Sequence, residues 1–357
     1  MKVLMVGLGS IGQRHLRNLK ALLGNDLEIL AWRSRGRQDV LTDQLVVQPD
    51  VQLDTFYGIK VFDDLEVALR EKPDVAFITN PTGLHMPAAI AVARAGCHLF
   101  IEKPLSHTLQ GVDELLALVE TKGLIAAVGY NMRFHPALRL VKSLLDNGTI
   151  GSLLAVRFEQ GEYLPGRHPY EDYRDTYTAH RALGGGLLLS QIHELDVTYW
   201  LFGMPARVFA LGGHWSNFDI DVEDVTSLLL ECCYDGRALP VHVQQDYVRR
   251  PPVRRYEIVG ERGILVADLL RPDVQLTLSP GESTVHQFEQ FQRNDMFTEE
   301  LKHFLCCLRR EETPSVGIRE AAQSLRIAVA AKQSLVEGGV VRVTGASVPS
   351  LKECPQT

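Results

Sequence analysis

The chain has no C-x-x-C pair and no histidine pair at zinc spacing, so it sets up no expectation of a metal site. Its six cysteines are Cys97, Cys232, Cys233, Cys306, Cys307 and Cys354. The adjacent pairs at 232–233 and 306–307 lie in apolar stretches and read as buried thiols of a reducing compartment. No apolar run approaches the ~20 residues of a membrane span. The run before Gly7 is too short for the core of a signal peptide, so a cytoplasmic protein is expected. Aromatic residues are only 7%, too few for platforms that stack single-stranded nucleic acid. A basic excess is also missing: 37 Lys and Arg face 44 Asp and Glu, a net charge of −7. Neither nucleic acid nor an anionic membrane is an expected partner. There is no 20–50-residue repeat. What remains is 357 residues, 45% hydrophobic and 23% charged, the composition of a two-domain globular protein.

The first third alternates short apolar runs with helical patterns. Strands are expected at Val3–Val6, Leu27–Trp32, Val61–Phe62, Asp74–Thr79, His98–Ile101 and Ile125–Gly129, with helices at Ile11–Leu23, Asp64–Arg70, Met86–Ala95 and Leu109–Thr121. That rhythm predicts a parallel sheet with helices on both faces. Beyond about 130 comes one more helix, Pro136–Asn147. Alternating runs follow at Leu153–Glu159, Val208–Gly212, Asp224–Tyr234, Arg237–Tyr247, Val253–Val259 and Gly263–Leu269, separated by turns such as Tyr234-Asp235-Gly236-Arg237. They predict an antiparallel sheet. Leu187–Phe202, Asn294–Arg310 and Arg319–Val336 read as helices. The fold class is therefore α/β plus α+β: a parallel-sheet domain at 1–125, a domain on a large, mostly antiparallel open-faced sheet at 126–345, and a tail at 346–357.

Gly7-Leu8-Gly9-Ser10-Ile11-Gly12 is a G-x-G-x-x-G loop between a predicted strand and a predicted helix, the context of a Rossmann dinucleotide site. Gly7 allows the tight turn, Gly9 a close approach to pyrophosphate, and Gly12 the packing of helix on strand. The free amides of Ser10 and Ile11 attract phosphate. An acid that binds the ribose 2′-hydroxyl belongs about 20 residues on. That acid is absent: the stretch is Trp32-Arg33-Ser34-Arg35-Gly36-Arg37. Three guanidinium groups and a hydroxyl suit a 2′-phosphate, so NADP(H) is favoured over NAD(H); a solvated arginine loop is the alternative. Asn80-Pro81 and Glu102-Lys103-Pro104 each follow a strand, and so lie at the sheet's carboxyl edge, where ligands bind. An ammonium there, Lys103, suits stabilisation of a developing alkoxide. His193, with Asp196 three residues on, suits acceptance of a hydroxyl proton.

With the glycine loop, four segments in order resemble the glucose–fructose oxidoreductase / inositol dehydrogenase (Gfo/Idh/MocA) family: T-N-P-T-G-L-H at 79–85, E-K-P at 102–104, G-Y-N-M-R-F-H-P at 129–136, and G-G-G at 184–186 running to H-E-L-D at 193–196. The resemblance implies an NAD(P)-dependent oxidoreductase acting on a carbinol carbon of a sugar or sugar derivative, assembled as a homodimer or homotetramer. It implies that Asn80, Thr82, His85 and Glu102 contact cofactor, that Lys103 is catalytic beside His193 as general acid–base, and that the peptide before Pro104 is cis. The chain departs from the pattern at Leu189, where many members carry aspartate; Ser190, Glu194 and Asp196 are the candidate replacements. Arg133 and Asp196 join the expected substrate contacts. The polar, aromatic segment 162–174 supplies Tyr163, His168, Asp172 and Arg174, and resembles the branch of sialic-acid-type and surface-sugar enzymes, which makes an acidic or nucleotide-linked sugar the expected substrate. The competing reading is a non-catalytic NADP(H) sensor.

Overall fold

The computed structural model describes residues 1–33, 38–343 and 345. Ser34–Arg37 and the expected tail at 346–357 lie outside them. Six strands, β1 (Lys2–Val6), β2 (Glu28–Trp32), β3 (Ile59–Phe62), β4 (Val75–Ile78), β5 (His98–Glu102) and β6 (Ala126–Gly129), form a wholly parallel sheet in the order 3-2-1-4-5-6. This is the Rossmann order. Alternate residues of each strand enter different cores: Val3, Met5 and Phe77 pack on one face, Leu4, Val6 and Ile78 on the other. Burial on both faces explains why these strands read as unbroken apolar runs. Helix α1 (Ser10–Leu23) covers the first face, and α2 (His85–Arg94) with α3 (Val112–Thr121) the second. The sixth strand falls just past residue 125, so the sheet itself runs to Gly129.

The second sheet has nine strands: β7 (Leu153–Tyr163), β8 (Arg207–Gly213), β9 (Val225–Tyr234), β10 (Arg237–Asp246), β11 (Val248–Gly260), β12 (Gly263–Asp268), β13 (Asp273–Leu278), β14 (Glu282–Gln287) and β15 (Val341–Arg342). Their order is 14-13-12-11-7-10-9-8-15, and every neighbouring pair is antiparallel except β7 with β10. Helices α4 (His193–Phe202), α5 (Arg293–Leu308) and α6 (Ile318–Glu337) join this domain, beside the expected helix after the first sheet, Pro136–Asp146. α4 and α6 bury one face of this sheet, while Phe209, Leu211 and Leu229 stand exposed on the other. α5 returns to the first sheet, where Phe304 packs edge-on to Phe77 and Phe100 at 5.9 and 5.2 Å.

Two expectations need correction. The stretch 187–202 is not one helix: a turn at Leu187–Ser190 and α4 are separated at Gln191-Ile192, where the Gln191 carbonyl accepts from Gln245 Nε2 at 2.7 Å. The adjacent cysteines are not all buried. Cys232 is buried, but strand alternation turns Cys233 to the open face, and Cys306 is half-buried on α5.

Candidate active site

The glycine loop is built by contacts that only glycine tolerates. Gly7 has φ +97°, and a Cβ there would meet the Asn80 backbone at 2.9 Å. A Cβ on Gly12 would lie 2.7 Å from both the Gly7 carbonyl oxygen and Thr79 Oγ1. Gly9 has nothing within 4 Å of its Cβ position, and no side chain caps the first amides of α1. The loop opens on a cleft of about 390 Å³, whose walls include Gly7–Ile11, Trp32, Arg33, Asn80, His168 and Tyr177. The open approach at Gly9, the uncapped amides and the unpartnered, buried Asn80 Oδ1 fit a dinucleotide phosphate and its polar flank. Arg33 does line the cleft, but its Nη1 is 2.8 Å from Asp54 Oδ1. Ser34, Arg35 and Arg37 lie outside the described residues.

Three of the expected cofactor contacts also brace the turns around the cleft. His85 is buried, with Nδ1 2.8 Å from the Pro104 carbonyl oxygen and Nε2 2.8 Å from that of Asn80, so it ties two strand-end turns together. Burial lowers its pKa, which leaves one proton for those two carbonyls. Thr82 is 1% exposed and packs beneath the Gly184 turn, off the cleft wall. Glu102 is buried and engaged by His15 Nε2 at 2.6 Å, while its other oxygen accepts from the Lys103 amide at 3.1 Å. The Lys103–Pro104 peptide is cis.

Lys103 leaves the end of β5 and donates from Nζ to the Ser190 carbonyl at 2.8 Å. Burial first, and the nearby Arg167 charge second, bring its pKa down to about 8. His193 opens α4 with Nδ1 unpartnered and its ring edge-on to Tyr130 at 6.0 Å. Burial, then the charges of Lys103, Arg254, Arg293 and Arg167, hold it well below its ordinary pKa, so it is neutral at pH 7. Glu162, near the end of β7, faces Arg167 Nε at 3.6 Å and accepts from Gln191 Nε2 at 3.3 Å. Burial pushes its pKa up, but Arg167, Gln191, Arg254 and Lys103 outweigh this and keep it ionised. Leu189 is buried in the core and contributes no polar group.

Most of the expected substrate contacts have partners within the chain. Asp196 accepts from Arg133 Nε and Nη2 at 2.9 and 2.7 Å and from Ser324 Oγ at 2.9 Å, and Arg133 Nη1 also meets Glu320 at 3.0 Å. Asp196 is wholly buried and Arg133 nearly so, an ion pair that ties the turn Asn131–Phe134 to α4, with Glu320 and Ser324 of α6 joining it. Glu194 is likewise consumed by Arg254 and Tyr256 Oη, at 2.8 and 2.9 Å. Asp172 and Arg174 pair with each other in solvent. Tyr163 packs on Phe218 and under Arg250, away from the cleft. His168 belongs to the nucleotide cleft, 3.2 Å from Glu171. Sequence reasoning offers Arg167 as a clamp for an anionic substrate and Glu162 as part of the same polar segment; it does not reach Arg254 and Arg293 beside Lys103 and His193, nor Tyr247 beside Arg167. Only Glu162 and Arg167 carried a signal, since both lie in or beside the polar segment that follows β7.

Residues 1–130 match the family model described as "Oxidoreductase family, NAD-binding Rossmann fold", and residues 142–343 match its partner, "Oxidoreductase family, C-terminal alpha/beta domain". The chain is 30% identical over 351 residues to myo-inositol 2-dehydrogenase of Thermotoga maritima, covering 96% of this chain and 98% of that one. It is 27% identical to an NAD(+)-dependent scyllo-inositol 2-dehydrogenase of Bacillus subtilis, with 95% of each covered. Among solved structures, levoglucosan dehydrogenase in complex with NADH superposes with a TM-score of 0.82 over 97% of this chain and 100% of that one, at 18% identity.

Proposed function

The chain belongs to the Gfo/Idh/MocA oxidoreductase family, and from that premise we propose that it transfers hydride between NAD(P)(H) and a carbinol carbon of a sugar or sugar derivative. The observation that carries this reading is the convergence of Lys103 and His193: Lys103, at the end of β5, reaches the Ser190 carbonyl at 2.8 Å, three residues before His193 opens α4. The nicotinamide, when bound, supplies the hydride acceptor or donor. The substrate hydroxyl gives its proton to the neutral Lys103 amine, whose pKa near 8 is poised for both directions. His193, neutral and under cationic pressure, orients that hydroxyl rather than carrying the proton itself. Glu162 supplies the negative charge beside Lys103 that Leu189 does not.

The pH dependence has a fixed sign. Oxidation needs the amine, so its kcat/KM rises with pH and levels off above about 8; reduction needs the ammonium, so it falls above about 8. Lys103→Ala is expected to lower kcat by about 10²- to 10⁴-fold and remove that inflection. A flat profile in both directions, or activity retained in the variant, overturns the assignment. No turnover of any sugar by the intact protein, with cofactor still bound, favours the sensor reading. We further propose a preference for NADP(H), carried by Arg33 with Ser34, Arg35 and Arg37, and a cytoplasmic homodimer or homotetramer joined through the open sheet face.

A further inference from the structure

Resting on the hydride-transfer reading above, we propose that the sugar oxidised here bears a carboxylate, received by Arg167 and Arg293 beside Lys103. Around His193 the protein leaves positive charge without a matching acid. Four cations surround His193: Lys103, Arg167, Arg254 and Arg293. The charge of Arg254 is paired with Glu194, which Tyr256 also contacts, although Arg254 Nη2 makes no hydrogen bond of good geometry. Lys103 donates only to a backbone carbonyl. Arg167 shares Glu162 at 3.6 Å, yet its Nη1 is buried with no partner. Arg293, at the first turn of α5, has no carboxylate within ion-pair distance among the described residues, and the charges acting on it are Arg254, Arg167 and Glu162.

Three cations therefore share one carboxylate, Glu162. Glu102, the other acid near Lys103, is held by His15. A neutral polyol would leave the buried Arg167 Nη1 unmet, which burial penalises, while Arg293 keeps its contact with solvent. A carboxylate meets two guanidinium groups with paired, charge-assisted hydrogen bonds. The surplus over Glu162 is two charges with Lys103 as the ammonium and one with Lys103 as the amine that oxidation needs, which matches a monoanion better than a phosphate dianion. An anion here also offsets the cations that depress Lys103 and His193, so its binding makes the Lys103 amine a stronger base and moves the oxidation inflection to higher pH. The chemical class is thus a sugar acid, an aldonate or uronate whose carboxylate lies near the reacting carbinol.

The test compares gluconate and glucuronate with glucose and myo-inositol, and adds glucose 6-phosphate, at fixed NAD(P)+. Binding of glucuronate to the NADH-loaded protein is followed separately by calorimetry. The expected result is kcat/KM at least tenfold higher for an acid than for its neutral counterpart, with calorimetric binding of glucuronate that glucose does not match. Arg293→Gln and Arg167→Gln should each lower the acid-to-neutral ratio of kcat/KM by about 10- to 100-fold. Arg293 is exposed at a helix start, so its variant keeps the test open if Arg167→Gln fails to fold. Equal use of acids and neutral sugars, preference for the phosphate, or an equal loss for both classes in the variants overturns the carboxylate and leaves hydride transfer standing. Absence of hydride transfer with every compound overturns the underlying reading instead.

Discussion

At the scale of single residues, the site turns on who neutralises whom. Asp54 is the case with the widest consequence. It stands beyond the end of β2, on the short helix Leu53–Tyr57, and holds Arg33 through Nη1 at 2.8 Å while Gln38 Nε2 contacts its other oxygen at 3.1 Å. A guanidinium already paired in this way offers a 2′-phosphate much less than a free one. Removing the charge in Asp54→Asn should therefore tighten NADPH relative to NADH by about 3- to 30-fold, the range of one exposed to half-buried charge contact. Fluorescence titration of both cofactors measures it, and an unchanged ratio would show that Arg33 takes no part in the choice. None of this was legible beforehand. The sequence shows the missing acid after Trp32, but Asp54 lies 21 residues from Arg33, and no local pattern joins them. Glu162 and Lys103 meet for the same reason: chain topology, not spacing, puts the ends of β7 and β5 together.

At the scale of elements, legibility follows burial. β1, β4, β5 and β6 are buried on both faces and stand out as apolar runs, and α1 announces itself by its glycine loop and apolar spacing. β13 and β14 were not anticipated, because only Val274 of the two is fully buried and β14 presents mostly exposed residues. The 191–192 break was hidden because both flanking segments are apolar and buried, which looks the same as one continuous helix. The loop and α1 act as one unit with separable roles. Gly12→Ala places a methyl 2.7 Å from backbone and side-chain oxygens and should destabilise the fold by about 1–3 kcal/mol. Gly9→Ala meets nothing within 4 Å, so its melting temperature should stay near wild type while NAD(P)H affinity falls at least tenfold. Thermal melts and cofactor titrations of the two variants separate packing from approach. Gly9→Ala with unaltered affinity would remove the phosphate from that loop.

At the scale of the whole molecule, the nine-stranded sheet is two-sided in chemistry as well as geometry. On β8, Val208 and Ala210 are buried whereas Phe209 and Leu211 are 36% and 59% exposed; the register sets Phe209 opposite Leu229, itself 51% exposed. Leu154 and Ile264 extend the exposed apolar set to β7 and β12. A sheet face that carries this much apolar surface is unusual for a monomer. A second copy of the same face is the simplest cover, because a two-fold interface needs only self-complementarity. The rim fits that use: Arg207 and Glu231 already pair at 2.8 Å within one chain, so they add no unmatched charge at the edge of the patch. Placing a charge at its centre should split the assembly. Leu229→Arg buries an unpaired guanidinium in an apolar contact, a loss of about 2–4 kcal/mol of association, or about 30- to 1000-fold in the dimer dissociation constant. Light scattering at low micromolar concentration should then show a multimer for the wild type and a smaller species for the variant. The variant's cofactor affinity should stay close to wild type, since Leu229 lies on the outer face while the cleft is lined from the first sheet and the 168–183 segment. A wild-type monomer, or an undiminished multimer after the substitution, would mean that this face is covered by something other than a second copy.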